Sequence, residues 1–142
     1  MPTYLYERVG DELLPALRGL DVTMVGHSGG RWSNETVDLA CQDARLRVLK
    51  DRGAFEVLFG SAVDPDEWYN SEEVLRLLDY RVQDLTSLDA KVMAQELAAF
   101  LRTNLPRVAV LFSASEYARN KQQLLQIRRM LNETLSPGRH AH

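Results

Sequence analysis

The sequence predicts an α+β fold: an N-terminal helix, a four-stranded antiparallel meander over about residues 21–60, then three or four C-terminal helices packed on one face of the sheet. Three observations predict it. Arg45–Gly60 (RLRVLKDRGAFEVLFG) consists of two alternating runs around Asp51-Arg52-Gly53, the pattern of a hairpin. The preceding run, Thr36–Gln42, alternates in the same sense. Beyond residue 70, apolar residues recur at three- and four-residue steps behind capping residues.

In chain order, residues 3–18 read as a helix with Leu5, Val9 and Leu13 at helical spacing. Pro15 should kink or end it, and Gly19 marks the stop. Asp21–His27 is the first strand, followed by the polar loop SGGRWSNE. In Thr36–Gln42 the residues Val37, Leu39 and Cys41 share one face, with Asp38 and Gln42 on the other. A short turn around Asp43-Ala44 is expected to pair Cys41 with Leu46 and Leu39 with Val48. In the next hairpin only a two- or four-residue loop sets Val48 across from Val57 and Leu46 across from Phe59. A three-residue loop would place Val48 opposite Glu56, on the wrong face. Short connections between neighbours then imply the sheet order 1-2-3-4.

SAVDPDEWYN reads as a loop broken by Pro65, with Trp68 packed as a staple against the helix that follows. That helix, SEEVLRLLDY, starts with Asn70 and Glu73 as a capping box and buries Val74, Leu75 and Leu78. Thr86 and Asp89 begin the next one, which carries Leu88, Val92, Leu97, Phe100 and Leu101 until Pro106 ends or restarts it. Residues 105–112 are apolar nearly all round. They read as a short buried helix, with a fifth strand as the alternative. One side would lie on the sheet; the other would meet the final helix or a second copy in a homodimer. Ser113 and Glu116 cap a last helix to about Leu135, with Tyr117, Leu124, Ile127, Leu131 and Leu135 in its apolar line. Residues 136–142 read as a loose tail on a single domain spanning 1–142.

Composition narrows the function classes. The 142 residues are 45% hydrophobic and 26% charged, the balance of an ordinary soluble domain. Seventeen basic against twenty acidic residues leave a net charge of −3, which argues against a surface dominated by polyanion binding. Cys41 is the single cysteine, so no intramolecular disulfide or multi-cysteine zinc site can form. The N-terminal MPTYLYERVGDE lacks a signal-peptide core, and no stretch is apolar enough to span a membrane. The expectation is a soluble, cytoplasmic protein without cofactor or metal.

Each candidate site has a plain structural counterpart. Gly26, Ser28 and Gly30 match the nucleophile-elbow pattern as GHSGG, which suggests a small serine hydrolase using Ser28 and His27. An elbow needs a helix leading straight out of the turn, whereas RWSNETVDLACQ reads as loop and strand. His27 and Cys41 lie on neighbouring strands, but Cys41 belongs to the buried set and should be inert. His140 and His142 are tail residues. Asp64, Asp66 and Glu67 read as a solvated turn, since a calcium loop needs more oxygen ligands and a central glycine. Arg45, Arg47, Lys50 and Arg52 share the hairpin, with Trp32 in reach, which raises nucleic-acid binding as a second alternative. On the last helix Lys121 and Arg128 flank the apolar line, while Arg119 and Arg129 lie opposite.

The leading expectation comes from Leu49 and Leu58, apolar residues on the hairpin's nominally polar face, with Leu49 opposite Glu56. Either a helix or a partner must cover them. The sequence is therefore read as a non-enzymatic protein-binding domain with Trp32, Leu49, Leu58 and Trp68 as contact candidates. In layout it resembles bacterial immunity or chaperone-like adaptor proteins, with no residue motif behind the likeness.

Overall fold

The computed structural model describes residues 5–29, 34–51, 53–78 and 89–135. The chain begins with a helical segment of three parts: α1 (Leu5–Arg8), a π-helical turn (Val9–Leu13) and α2 (Leu14–Ala16). The π-turn has a physical reason. Leu5, Val9, Leu13 and Leu17 recur every four residues, and on an α-helix of 3.6 residues per turn that line drifts by about 40° per step. Widening one turn slows the drift, and all four side chains are buried. The start of α1 is capped from afar, because the buried Glu35 carboxylate accepts the Leu5 and Tyr6 backbone N–H groups at 2.6 and 2.9 Å.

The sheet has five strands, β1 (Thr23–Ser28), β2 (Glu35–Cys41), β3 (Ala44–Asp51), β4 (Ala54–Ser61) and β5 (Asp64–Asn70), in the order β1-β2-β3-β4-β5. All four pairings are antiparallel. The expected meander and its order hold, with one strand more. The β3–β4 hairpin has the expected register, Val48 facing Val57 and Leu46 facing Phe59 around a two-residue loop. The β2–β3 hairpin is shifted from the expected pairing. Cys41 faces Ala44, Leu39 faces Leu46 and Val37 faces Val48. Its loop is the tight pair Gln42-Asp43, with Gln42 at a left-handed φ of 54°. The shift is two residues, so every side chain keeps its face; alternation alone could not distinguish the two.

β5 replaces the loop expected at DPDEWYN. Pro65 cannot donate to a ladder, but β5 is an edge strand where no second partner asks for the N–H. Asn70 then ends β5 and caps α3 (Ser71–Leu77) in the expected capping box with Glu73. Asp89 caps α4 (Ala90–Leu111) by accepting the Lys91 and Val92 N–H groups, while Thr86 and Leu88 lie outside the described residues. α4 runs through Pro106 instead of ending there. Pro106 and Arg102, whose carbonyl loses its helical partner, are both exposed, so water can satisfy that group. Residues 105–112 are thus the last turns of a long helix. They are not buried all round, because Val110 is 59% exposed; Val92 is exposed as well. α5 (Tyr117–Leu135) follows a turn whose hinge is Ser113. The Ser113 carbonyl accepts from Glu116 and Tyr117, but its hydroxyl donates back to Val110 instead of capping α5.

The three later helices and the N-terminal segment cover one sheet face. Val37, Leu39, Leu46, Val48, Val57, Phe59 and Tyr69 meet Leu97, Phe100, Leu101, Leu105 and Val108 of α4 in a continuous core. Phe59 stands edge-on to Phe100 at 6.0 Å and parallel to Phe112 at 6.5 Å. Burial of each such side chain stabilises by about 1.5–3 kcal/mol. No helix among the described residues is long and apolar enough to cross a membrane.

Candidate binding surface

With one sheet face covered, the other is open among the described residues, and the alternation of the strands decides what it shows. From β2 come Thr36 and Asp38, from β3 Arg45, Arg47 and Leu49, from β4 Glu56, Leu58 and Gly60, and from β5 Trp68. Leu49, Leu58 and Trp68 are each half-buried here. Trp68 is no staple for α3. It sits opposite Gly60, where a side chain would meet its ring at 3.1 and 3.3 Å. The glycine is therefore what lets the indole lie down on the sheet. Arg47 places its guanidinium 4.4 Å from the centroid of the Trp68 ring. Asp38, across the β2–β3 ladder, holds that guanidinium with two parallel hydrogen bonds of 2.7 and 2.9 Å. The pair raises the Arg47 pKa, chiefly through the hydrogen bond to Asp38.

Around this stack the open face is concave. A cleft of about 280 Å³ is lined by Val25, Asp38, Arg45, Arg47, Gly60 and Trp68, with Pro65 and Glu67 at its β5 side, so all five strands contribute. Arg45 donates from Nη1 to the carbonyls of Gln42 and Ala44 at 2.7 and 3.0 Å.

Of the acidic cluster expected to be solvated, Asp66 is exposed, but Asp64 and Glu67 instead fasten α5 to the β5 edge. Asp64 accepts from Lys121 at 2.8 Å and from the Tyr117 hydroxyl at 2.6 Å, which lowers its pKa, the Lys121 bond being the larger cause. Tyr117 in turn meets the Tyr69 hydroxyl at 2.8 Å. Burial, more than either bond, pushes the Tyr117 phenol far above its ordinary range. Arg128 donates to Glu73 at 2.6 Å, to Glu67 at 2.8 Å and to the Trp68 carbonyl at 2.6 Å. These groups are structural fasteners, and they also fix the strand that carries Trp68.

His27 and Ser28 are consecutive strand residues, so they point to opposite faces, His27 beside Val37 and Ser28 beside Thr36. The His27 Nε2 is engaged by Glu35 at 2.8 Å, and its ring lies 5.0 Å from that of Tyr6. Strand β2, not a helix, follows the loop. Cys41 is buried, and burial first, then Asp21, raises its thiol pKa. Trp32, Gly30, Arg52, His140 and His142 lie outside the described residues. Among the described residues no group of three or more His, Cys, Asp or Glu is arranged to hold a metal ion.

A second concavity of about 530 Å³ lies among the helices, where Leu77 and Leu78 face Pro106, Arg107 and Val110 of α4 and Asn120 and Gln123 of α5. Its rim reaches Leu78, where the described chain stops until Asp89. Leu49, Leu58 and Trp68 are legible in the sequence as contact candidates, but the cleft that Trp68 lines is not, and Leu49 and Leu58 stand outside its lining. With DPDEWYN taken as loop, nothing placed Trp68 across from Gly60. The one available signal was a glycine within an alternating run, a usual mark of close approach by another group. Compared with models of known protein families, with curated proteins and with solved structures, the chain gives no match.

Proposed function

We propose that the protein is a non-enzymatic binding domain that docks another protein on the open face of its sheet, through the cleft built by Trp68, Arg47, Arg45 and Gly60 and the neighbouring Leu49 and Leu58. The observation that carries this reading is the concave face to which all five strands contribute and on which no helix among the described residues lies. Its size supports a protein partner. At about 280 Å³ it falls just short of the 300–1,000 Å³ usual for small-molecule pockets, and suits one or two side chains.

Face docking is favoured over strand addition by both sheet edges. β1 is interrupted by a bulge at Val25, and β5 carries Pro65. A nucleic acid is a poorer occupant, because Asp38 already neutralises Arg47 and that guanidinium lies over the ring a base would need. A hydrolase is disfavoured by the opposed directions of His27 and Ser28. A single buried thiol suits a reducing compartment, and we place the protein in the cytoplasm on that ground.

The test is affinity capture from the cells that make the protein, with the parent, Trp68→Ala and Leu58→Lys side by side. A protein retained by the parent and lost by both variants, with melting temperatures within a few degrees of the parent, supports the reading. Retention indifferent to both substitutions refutes it.

A further inference from the structure

We infer that the cleft receives an aspartate or glutamate carboxylate of the partner, flanked by an apolar side chain, with Arg45 as its counter-ion. This rests on the sheet-face reading above and names the chemistry of its partner. The pairing of the cleft's charges, residue by residue, carries the inference. Arg47 is matched by Asp38 at 2.7 Å, whereas Glu67 shares Arg128 with the buried Glu73. The charges lining the cleft balance overall, but among the described residues Arg45 is the cleft cation that no carboxylate engages, so its guanidinium is left for a carboxylate from outside.

The guanidinium is also pre-positioned. Its Nη1 is tied to the Gln42 and Ala44 carbonyls, neutral acceptors that orient the group without cancelling its charge. Its Nε and Nη2 keep their hydrogen-bonding capacity among the described residues, the side-on fork that fits a carboxylate. Ordering the fork in advance lowers the entropy lost on binding. Val25, Pro65 and Trp68 supply an apolar wall beside this charge. An acidic residue next to an apolar one fits both features within a volume of side-chain size. A phosphate backbone would call for a row of free cations, and among the described residues this face offers one.

The probes are the blocked dipeptides acetyl-Glu-Leu-amide and acetyl-Gln-Leu-amide, near-isosteres that differ in charge. Each is titrated against the labelled full chain while the Arg45 Nε–H and Trp68 indole resonances are followed by NMR. The expected result is saturable shifts of both signals, with the glutamyl peptide binding about fivefold more tightly than the glutaminyl one. In Arg45→Gln, which removes a half-exposed side chain and should melt with the parent, the two peptides should bind equally. Equal affinities in the parent, or no saturable shift from either peptide, would overturn the inference. Tighter binding of an oligothymidylate at the same two signals would overturn it in favour of a phosphate ligand. Partner capture abolished by Trp68→Ala but untouched by Arg45→Gln would sink the carboxylate while the sheet-face reading stood. Capture indifferent to both would sink that reading itself.

Discussion

Replacing Arg128 with methionine should destabilise the protein far more than an ordinary surface charge change. Arg128 is 32% exposed at its side chain, but Glu73, its main partner, is 1% exposed. Among the described residues the substitution leaves the buried Glu73 carboxylate with the Asn70 N–H at 2.8 Å as its remaining donor, and it takes the Arg128 donor from the Trp68 carbonyl. Stranding a buried charge costs about 3–5 kcal/mol, and the partial access of water around Arg128 argues for the lower end. The Glu67 pair, about one-third exposed on both sides, adds little. The expected loss is therefore about 3 kcal/mol. For a chain of this length about 3 °C accompanies each kcal/mol, so the melting temperature should fall by about 9 °C. Thermal and urea unfolding followed by far-UV circular dichroism measure it. Adding Glu73→Gln removes the stranded charge while keeping the acceptor for Asn70, and should restore about 1–2 kcal/mol. A fall below about 2 °C in Arg128→Met, or no recovery in the double variant, would refute the account of Arg128 as the fastener between α5, α3 and β5.

Three other outcomes are expected. Gly60→Ala introduces a Cβ at 3.1 Å from the Trp68 ring and the Glu67 carbonyl; it should lift the indole, cost about 1–2 kcal/mol and red-shift emission in a Trp32→Phe background. An unchanged spectrum would contradict the seating of Trp68. Val108→Asp, at 0% exposure, should leave no folded protein by circular dichroism, whereas Val110→Asp, two residues on and facing water, should change stability by about 0.5 kcal/mol or less. Asp64 has a depressed folded pKa, so its contribution is present above the unfolded value of about 3.9 and lost as pH falls through the folded one. Asp64→Asn should consequently flatten the fall in melting temperature with acidification below about pH 4 relative to the parent, and an identical acid limb would count against the Lys121–Asp64–Tyr117 network.

The chain's local patterns determine a good deal by themselves. Alternation of Leu46, Val48, Val57 and Phe59 sets the register of the central hairpin, because a slip of one residue would turn the core outward. The Asn70–Glu73 capping box marks the start of α3 from four residues, since both of its hydrogen bonds are local. Leu49 and Leu58 stand on the open face for the same reason of period two.

What the local patterns could not determine depended on partners distant in sequence. DPDEWYN is a poor strand by composition. It pairs with β4, and its Asp64 and Glu67 carboxylates are met by Lys121 and Arg128 from a helix more than fifty positions away. Pro106 stays inside α4 because packing of Leu105, Val108 and Ala109 outweighs one missing hydrogen bond on the solvent side. The two-residue shift between β2 and β3 conserves every face, so only the tight Gln42-Asp43 turn chooses between the registers. The cleft is the clearest case. Trp68, Gly60, Arg47 and Asp38 come from four strands, and their contact exists only once β5 has joined the sheet.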